Sequence, residues 1–197
     1  MSVVLDKARE YENFVRMDME DASVTELTLR MCDRAKKYYS KCGTVLQAYM
    51  HRTINDIDIL DVPHSNIRIC KGAYKESENI AYQDYQKIRD NYLECAEKIM
   101  DKGIYVGLAT HDDWLIDSLL DLIKRKKYKP NKYEFQALSG VPIDKRLDSL
   151  ISEGHKVRYY VPYGPEWYAY SIRRMRENPD IWKDTMKAFF FRTKHRR

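Results

Sequence analysis

Short apolar segments and longer amphipathic segments alternate along almost the whole chain, and this alternation constrains the fold more than any other feature. Six segments have the composition of buried strands: residues 14–19, 44–50, 66–72, 104–110, 133–138 and 156–161. The remaining segments have the periodicity of helices: residues 23–40, 53–60, 76–102, 112–127, 144–153 and 165–177. Regular alternation predicts parallel βαβ units, because parallel neighbours must be joined by a crossover, which is usually a helix.

The chain has the size and composition of one globular domain. It contains 197 residues, 44% of them hydrophobic and 33% charged, and no glycine- or proline-rich linker divides it. We therefore predict a single domain over residues 1–197, with an aromatic and basic tail at residues 189–197. Ser23 and Glu26 have the spacing of a capping box, which predicts a helix start at Ser23.

Several classes of function are disfavoured by composition and motifs. The net charge of +5 is small for a protein that binds nucleic acid. The four cysteines include no Cys-x-x-Cys pair and the five histidines have no ligand-like spacing, so we predict free thiols, a cytoplasmic location and no metal. No apolar run approaches the roughly 20 residues of a membrane span. The sequence contains neither G-x-G-x-x-G nor a Walker loop.

Polar residues occupy the end of each predicted strand, where a buried core would require apolar ones. They include Asp18, Gln47, Tyr49, Lys71, Gly72, Thr110, His111, Gln136 and Tyr160. Ligands of parallel α/β folds bind at the carboxyl ends of the strands, so these residues predict a site. Arg68 lies within a predicted strand and therefore needs a partner. Asp18 is predicted to be either a counter-charge to the cations of this site or a hydrogen-bond orienter.

The residue types at these strand ends favour a bound organic cofactor. Lys71 and Arg68 supply positive charge for an anionic ligand, and Gly72 allows the backbone to approach it closely. His111 and Asp112 have two interpretations. They form an acid–base pair, or His111 hydrogen-bonds a cofactor. The sequence has no Ser-His-Asp order and no cysteine beside a plausible base, so nothing in it indicates acyl transfer. A cofactor would then perform the chemistry.

A second basic element lies in the last predicted helix. Tyr170, Arg173 and Arg174 have i, i+3 and i+4 spacing, so one helical face would carry all three. This face is either a solvated basic surface or a paired guanidinium clamp for a carboxylate or phosphate, with the tyrosine beside the ligand.

Seven segments, taken in order, resemble proline dehydrogenase. They are VRMDMED, VLQAYM, IRICKGAYKE, LATHD, YEFQALSGV, VRYYVPYG and YAYSIRRMRENP, and they extend over about residues 14–180. The resemblance implies an α/β fold of the (β/α)8 TIM-barrel family that holds FAD. It also implies oxidation of L-proline to 1-pyrroline-5-carboxylate by hydride transfer to the flavin N5, with electrons passed to a quinone.

The resemblance further implies a role for each matched residue. Asp18 and Arg68 would be catalytic, with Arg68 near the flavin N5. The FAD would be lined by Met19, Gln47, Arg68, Lys71, Gly72, Ala73, Thr110, His111 and Glu177. Proline would be bound by Leu138, Tyr160, Tyr170, Arg173 and Arg174, with the two arginines on its carboxylate. Members that act on hydroxyproline tend to lack the tyrosine matched by Tyr160, so its presence favours proline.

The strand count departs from the pattern of the family. A complete barrel has eight strands in about 250 residues, whereas six strands are predicted here. The matches begin at what would be the third strand, so we expect an incomplete, N-terminally truncated barrel. It would lack the first two strands, including the K-L-S strand whose lysine belongs to the substrate site. Residues 1–13 would be the end of the preceding helix.

Three hypotheses follow for the function. The first is FAD-dependent proline oxidation, which the truncation either impairs or leaves intact. The second is a catalytically inactive remnant that binds a ligand or a partner. Nucleic-acid binding through Arg173, Arg174 and the tail is a third, but it leaves the polar strand ends unexplained. Phe189–Phe191 and the basic tail would either contact the inner face of a membrane peripherally or pack on the barrel. The oligomeric state is left open.

Overall fold

The computed structural model describes residues 2–60, 65–139 and 143–165, and strands and helices alternate throughout them. In chain order the elements are α1 (Ser2–Glu10), β1 (Val15–Met17), α2 (Thr25–Tyr38), β2 (Cys42–Gln47), α3 (Thr53–Asp58), β3 (Asn66–Cys70), α4 (Tyr85–Asp101), β4 (Tyr105–Ala109), α5 (Asp113–Lys126), β5 (Tyr133–Leu138), α6 (Asp144–Ser152) and β6 (Val157–Tyr160). Short 3-10 turns occupy Ala22–Val24 and Pro130–Lys132.

Two compact units make up the chain, Met1–Glu134 and Phe135–Arg197. In the first unit, β1, β2, β3 and β4 pair in parallel and in sequence order. In the second unit, β5 pairs in parallel with β6, and Leu138 lies opposite Tyr160. All these pairs are parallel because each strand is followed by a crossover that contains a helix.

The six predicted strands are confirmed. β5 has the predicted range, and each of the other five is shorter than its predicted range or shifted by a few residues. The helix predicted over residues 76–102 begins only at Tyr85, where the Asp84 carboxylate accepts a hydrogen bond of 2.8 Å from the Lys87 N–H. The preceding residues do not continue the helix, because Ala81 pairs with Met50 in an antiparallel bridge. Met50 lies in the loop after β2, so the sequence around Ala81 does not by itself predict this pairing.

The capping box predicted at Ser23 is wrong. Asp21 caps this turn instead, since its side chain accepts a hydrogen bond of 2.9 Å from the Ser23 N–H. The turn is 3-10 in form, and the α-helix begins only at Thr25. Ser23 therefore lies inside the turn and cannot serve as an N-cap.

The two faces of the four-stranded sheet differ because side chains alternate along each strand. In β3, Ile67 and Ile69 are buried in the apolar core, whereas Arg68 and Cys70 are only partly buried. The core face of the first unit also includes fully buried Leu46 and Leu108 and a row of α4 residues, Tyr92, Cys95, Ala96 and Ile99. The opposite face of β3 is thus the one that carries polar chemistry.

Tyr92 connects α4 to the sheet, and removal of its hydroxyl group tests this contact. Its fully buried hydroxyl donates a hydrogen bond of 3.1 Å to the Ile69 carbonyl. We expect Tyr92→Phe to lower the free energy of unfolding by about 1–2 kcal/mol, because a buried carbonyl loses its partner. Urea unfolding measures this change, and Tyr163→Phe is the control, since Tyr163 is fully exposed. An equal effect of the two substitutions would contradict the assignment.

The four cysteines are free thiols, as predicted. Burial raises the pKa of Cys32 to about 11 and that of Cys95 to about 12, so both stay protonated at neutral pH. Among the helices of the described ranges, none has both the length and the apolar character needed to cross a membrane.

Candidate functional site

The polar strand ends of the first unit meet at one edge of the sheet. Because β1 to β4 are parallel neighbours, their carboxyl ends share this edge. The structure therefore brings together the predicted residues that end or directly follow these strands, along with Arg68: Asp18, Met19, Gln47, Lys71, Gly72, Ala73, Thr110 and His111. Below, this carboxyl edge of β1–β4 is called the ligand edge.

Arg68 has the acidic partner that its position in a strand required. Its Nη1 donates a hydrogen bond of 2.9 Å to Oδ1 of Asp18, with 23% of the Arg68 side chain and 50% of the Asp18 side chain exposed. In register, Arg68 lies between Val45 and Gly107, and the glycine leaves room for a long side chain. Of the two roles predicted for Asp18, the structure shows that of a counter-charge, and Arg68 is the cation that it contacts. The pair holds an oriented cation that remains accessible from the ligand edge.

Gln47 holds two loops of the ligand edge together. Its Nε2 donates a hydrogen bond of 2.9 Å to the Glu20 carbonyl, and its Oε1 accepts one of 3.4 Å from the Ala73 N–H. Glu20 is linked a second time, by a hydrogen bond from the Tyr74 hydroxyl to its carboxylate. Met19, in the segment after β1, is buried. Both ends of the Gln47 amide thus keep the segments after β1 and β3 in place.

Gly72 adopts a backbone conformation that favours glycine. Its φ is +130°, and a Cβ at this position would overlap the ring of Tyr49. The Tyr49 N–H also donates a hydrogen bond of 2.8 Å to the Lys71 carbonyl. The backbone after β3 therefore lies directly on an aromatic ring, and burial raises the pKa of that tyrosine to about 12.

A buried carboxylate, Asp112, collects three side chains from two other segments. Arg89 donates two hydrogen bonds to it, of 2.9 and 2.8 Å. The Tyr85 hydroxyl donates one of 2.8 Å, and Lys71 Nζ one of 3.1 Å. Lys71 Nζ also donates a hydrogen bond of 2.8 Å to the Tyr85 hydroxyl. Burial opposes ionisation of Asp112, but these hydrogen bonds outweigh it and lower its pKa, so Asp112 is anionic at neutral pH.

Thr110 and His111 lie in the short segment between β4 and α5, directly before Asp112. Thr110 Oγ1 accepts a hydrogen bond of 3.1 Å from the Asp112 N–H. Burial, and secondarily the charge of Lys71, lowers the pKa of His111, so its imidazole is neutral at pH 7 and offers one donor and one acceptor. Of the two interpretations of this sequence pair, the structure favours a histidine that hydrogen-bonds a ligand, because Arg89, Tyr85 and Lys71 occupy the Asp112 carboxylate.

The residues of the ligand edge fit the flavin that the resemblance implies. Two partly exposed cations, Arg68 and Lys71, suit a ligand with anionic groups. A neutral imidazole at His111 suits the polar edge of a flat ring system, and Ala73 is exposed at the same edge of the sheet. In the described ranges, no three His, Cys, Asp or Glu side chains are grouped as a metal site requires.

Two of the predicted substrate residues belong to the described part of the second unit. Leu138 and Tyr160 are side by side at the ends of β5 and β6, in the second unit, where Tyr160 is exposed. The predicted residues Tyr170, Arg173, Arg174 and Glu177, as well as the tail at residues 189–197, lie outside the described residues.

Tyr85 and Arg89 were not recognised as site residues from the sequence. Their i, i+4 spacing at a helix start, after a polar strand end, is the same kind of signal as the spacing of Tyr170 and Arg174. The helix prediction over residues 76–102 concealed it, because it placed both residues in mid-helix rather than in the first two turns.

The chain matches a family model described as proline dehydrogenase over residues 1–186. It is 40% identical to proline dehydrogenase 2 of Bacillus subtilis over 179 aligned residues, which are 91% of this chain and 59% of that protein. It is 36% identical to proline dehydrogenase of Deinococcus radiodurans over 178 aligned residues, which are 89% of this chain and 57% of that protein. The chain thus spans about three-fifths of the length of these curated relatives.

Solved structures support the same assignment at the level of the fold. Proline utilization A from Bdellovibrio bacteriovorus, inactivated by N-propargylglycine, matches with a TM-score of 0.79 and 24% identity, over 90% of this chain and 22% of that one. A variant of proline utilization A from Bradyrhizobium japonicum matches with a TM-score of 0.74 and 24% identity, over 89% of this chain and 21% of that one. The predicted fold class, α/β with the strands of an incomplete (β/α)8 barrel, is confirmed. With a family model matched over residues 1–186 and curated relatives at this level of identity, the chain belongs to the proline dehydrogenase family.

Proposed function

We propose that this protein catalyses the FAD-dependent oxidation of L-proline to 1-pyrroline-5-carboxylate and passes the electrons to a quinone. The observation that carries the proposal is the Arg68–Asp18 ion pair at the ligand edge, in a chain of the proline dehydrogenase family. An arginine on a strand, oriented by a carboxylate and still partly exposed, is a preorganised cation of the kind that stabilises developing negative charge.

The cofactor would be held at the ligand edge of the first unit. The residues assigned to it are Met19, Gln47, Arg68, Lys71, Gly72, Ala73, Thr110 and His111, together with Glu177. When bound, the flavin would accept the two electrons that leave the substrate. Arg68 would counter the negative charge that arises during this transfer, and Asp18 would keep the guanidinium oriented toward it. His111, being neutral, would donate or accept a hydrogen bond without adding charge.

The substrate would be recognised by its carboxylate and by its apolar ring. Arg173 and Arg174 would bind the carboxylate, because a pair of guanidinium groups matches its two oxygens. Tyr160 and Tyr170 would flank the ring, and Leu138 would contact its apolar edge. The electron acceptor would be a quinone. Residues 189–197 would contact a membrane surface near the quinone pool.

Anaerobic visible spectroscopy of the purified chain with FAD, before and after addition of L-proline, tests this function. We expect bound flavin whose absorbance bleaches with L-proline and not with L-alanine. Bound flavin that proline leaves unchanged would support the alternative of a catalytically inactive ligand-binding protein. Absence of bound flavin would contradict the cofactor assignment altogether.

Variants separate substrate binding from cofactor binding in the same experiment. Arg173→Ala and Arg174→Ala should raise the proline concentration for half-maximal bleaching by at least about tenfold, because each removes a charge-assisted hydrogen bond. The flavin dissociation constant should change little. Arg125→Ala is the control, since Arg125 is exposed near the end of α5. Equal losses of proline and flavin binding would count against the carboxylate clamp.

A further inference from the structure

We propose that Asp112, Arg89 and Tyr85 act as positioning residues that hold the Lys71 ammonium in place for the flavin. This inference rests on the proposed function, because it assigns a purpose to residues behind the ligand edge. The three residues are called the Lys71 support below. They come from the start of α5 and the first two turns of α4, whereas Lys71 directly follows β3.

The geometry of the Lys71 support is that of a built cluster rather than of a chance surface contact. Only 4% of the Asp112 side chain is exposed, compared with 28% of the Lys71 side chain. Arg89 approaches the carboxylate with two nitrogens, so it fixes the plane of that group as well as its position. Lys71 Nζ then has two defined acceptors, Asp112 Oδ2 and the Tyr85 hydroxyl. A long, flexible side chain is thereby restricted to one place.

Aromatic rings restrain the cations further. The Tyr85 ring lies 4.6 Å from Lys71 Nζ and 4.4 Å from the Arg89 guanidinium carbon. The Arg89 guanidinium carbon also lies 5.1 Å from the ring of Trp114, on α5. These cation–π contacts connect the starts of α4 and α5 and limit the motion of both positive groups.

The charge balance of the cluster indicates that Lys71 has a task beyond packing. Arg89 alone would neutralise Asp112 with its two-point hydrogen bonds. Lys71 is therefore a second cation on one carboxylate, and the cluster keeps one net positive charge. This surplus charge is partly exposed and lies next to Gly72, at the ligand edge. A cation ordered before the ligand arrives binds an anionic ligand more tightly than a mobile one, because less freedom is lost on binding.

A double-mutant cycle on FAD affinity tests whether Arg89 acts through Lys71. We expect Lys71→Met and Arg89→Met each to raise the FAD dissociation constant about tenfold. The double variant should be no weaker than Lys71→Met, because Arg89 acts on flavin binding only by holding Asp112 and, through it, Lys71. Lys87→Met is the matched control, since it removes an exposed cation from the same turns of α4. Losses that multiply in the double variant would overturn the proposal.

Asp112→Asn separates positioning from charge. If net charge alone governed binding, this substitution would tighten FAD binding, because it leaves two cations without their carboxylate. We expect weaker binding instead, by about fivefold or more, because Lys71 loses its anionic partner and the amide offers one acceptor oxygen in place of two to Arg89, Tyr85 and Lys71. Tighter binding by Asp112→Asn would overturn the positioning role.

A measurement without flavin keeps this inference distinct from the proposed function. Reductive methylation of the apo chain, followed by peptide mass spectrometry, should label Lys71 several times more slowly than Lys75, an exposed lysine of the same loop. In Asp112→Asn the two rates should converge. Equal rates in the unmodified sequence would overturn the positioning whether or not FAD binds. Slow labelling of Lys71 in a chain that binds no FAD would instead overturn the proposed function and, with it, the assignment of Lys71 to the flavin.

Discussion

Arg68→Met should reduce the rate of proline-dependent flavin reduction by about 100-fold or more. The reason is that the substitution removes a preorganised cation from the ligand edge, and loss of one such group typically costs this much in rate. Asp18→Asn should have a smaller effect, of about tenfold, because Arg68 keeps its charge and loses only the partner that orients it at 2.9 Å. Anaerobic stopped-flow spectroscopy of the flavin-loaded variants measures both rates.

Arg16→Met provides the matched control for Arg68. Arg16 lies on β1, and its guanidinium donates hydrogen bonds to the Thr44 carbonyl at 2.9 Å and to the Asn66 carbonyl at 3.2 Å. Asn66 begins β3, so these bonds are away from the carboxyl edge. We expect Arg16→Met to lower stability while the rate per flavin-loaded molecule stays within about threefold of the unmodified sequence. A similar loss of rate for both arginines would contradict the role of Arg68.

Gly72→Ala should lower the free energy of unfolding by about 3 kcal/mol or more and weaken flavin binding. Two effects contribute to this loss of stability. The φ of +130° is strained for any residue with a Cβ, and the new methyl group would overlap the ring of Tyr49. Since the ring is buried, the backbone after β3 would have to move, and Lys71 and Ala73 would move with it. Urea unfolding and flavin titration measure the two consequences.

Two comparisons separate the overlap from the backbone strain. Gly103 has a φ of +75° and open space where its Cβ would lie, so Gly103→Ala should cost only the strain, about 1–2 kcal/mol. In a Tyr49→Ala background, Gly72→Ala should likewise cost only about that amount. If Gly72→Ala is insoluble alone but folds in that background, the overlap is confirmed. Equal costs at Gly72 and Gly103 would contradict it.

Local sequence patterns were sufficient for the strands and for the polar residues at their ends. An arginine within a strand needs a partner, and Asp18, at the end of another strand, was predicted to be a counter-charge or a hydrogen-bond orienter. These predictions needed only the parallel order of the strands, because parallel strands bring their carboxyl ends to one edge. The structure shows that Asp18, two strands away from β3 in the sheet, is the partner of Arg68.

The loop after β3 could not be predicted in the same way. Residues 76–84 have a helix-like composition, yet Ala81 pairs with Met50 and α4 begins nine residues later than expected, at Tyr85. The competing hydrogen bonds come from residues more than 20 positions away. No local propensity records them, and tertiary contacts override weak helical preference.

The sequence by itself determined the alternation of strands and helices, the polar edge of the sheet and the positions of Arg68 and Asp18 on it. Only the tertiary structure decided how Lys71 is held. Its carboxylate, Asp112, is 41 residues away in sequence, and Arg89 reaches that carboxylate from another helix. The physical reason is that periodicity specifies which face a side chain occupies, whereas the path of a loop and the start of a helix decide which distant charges meet.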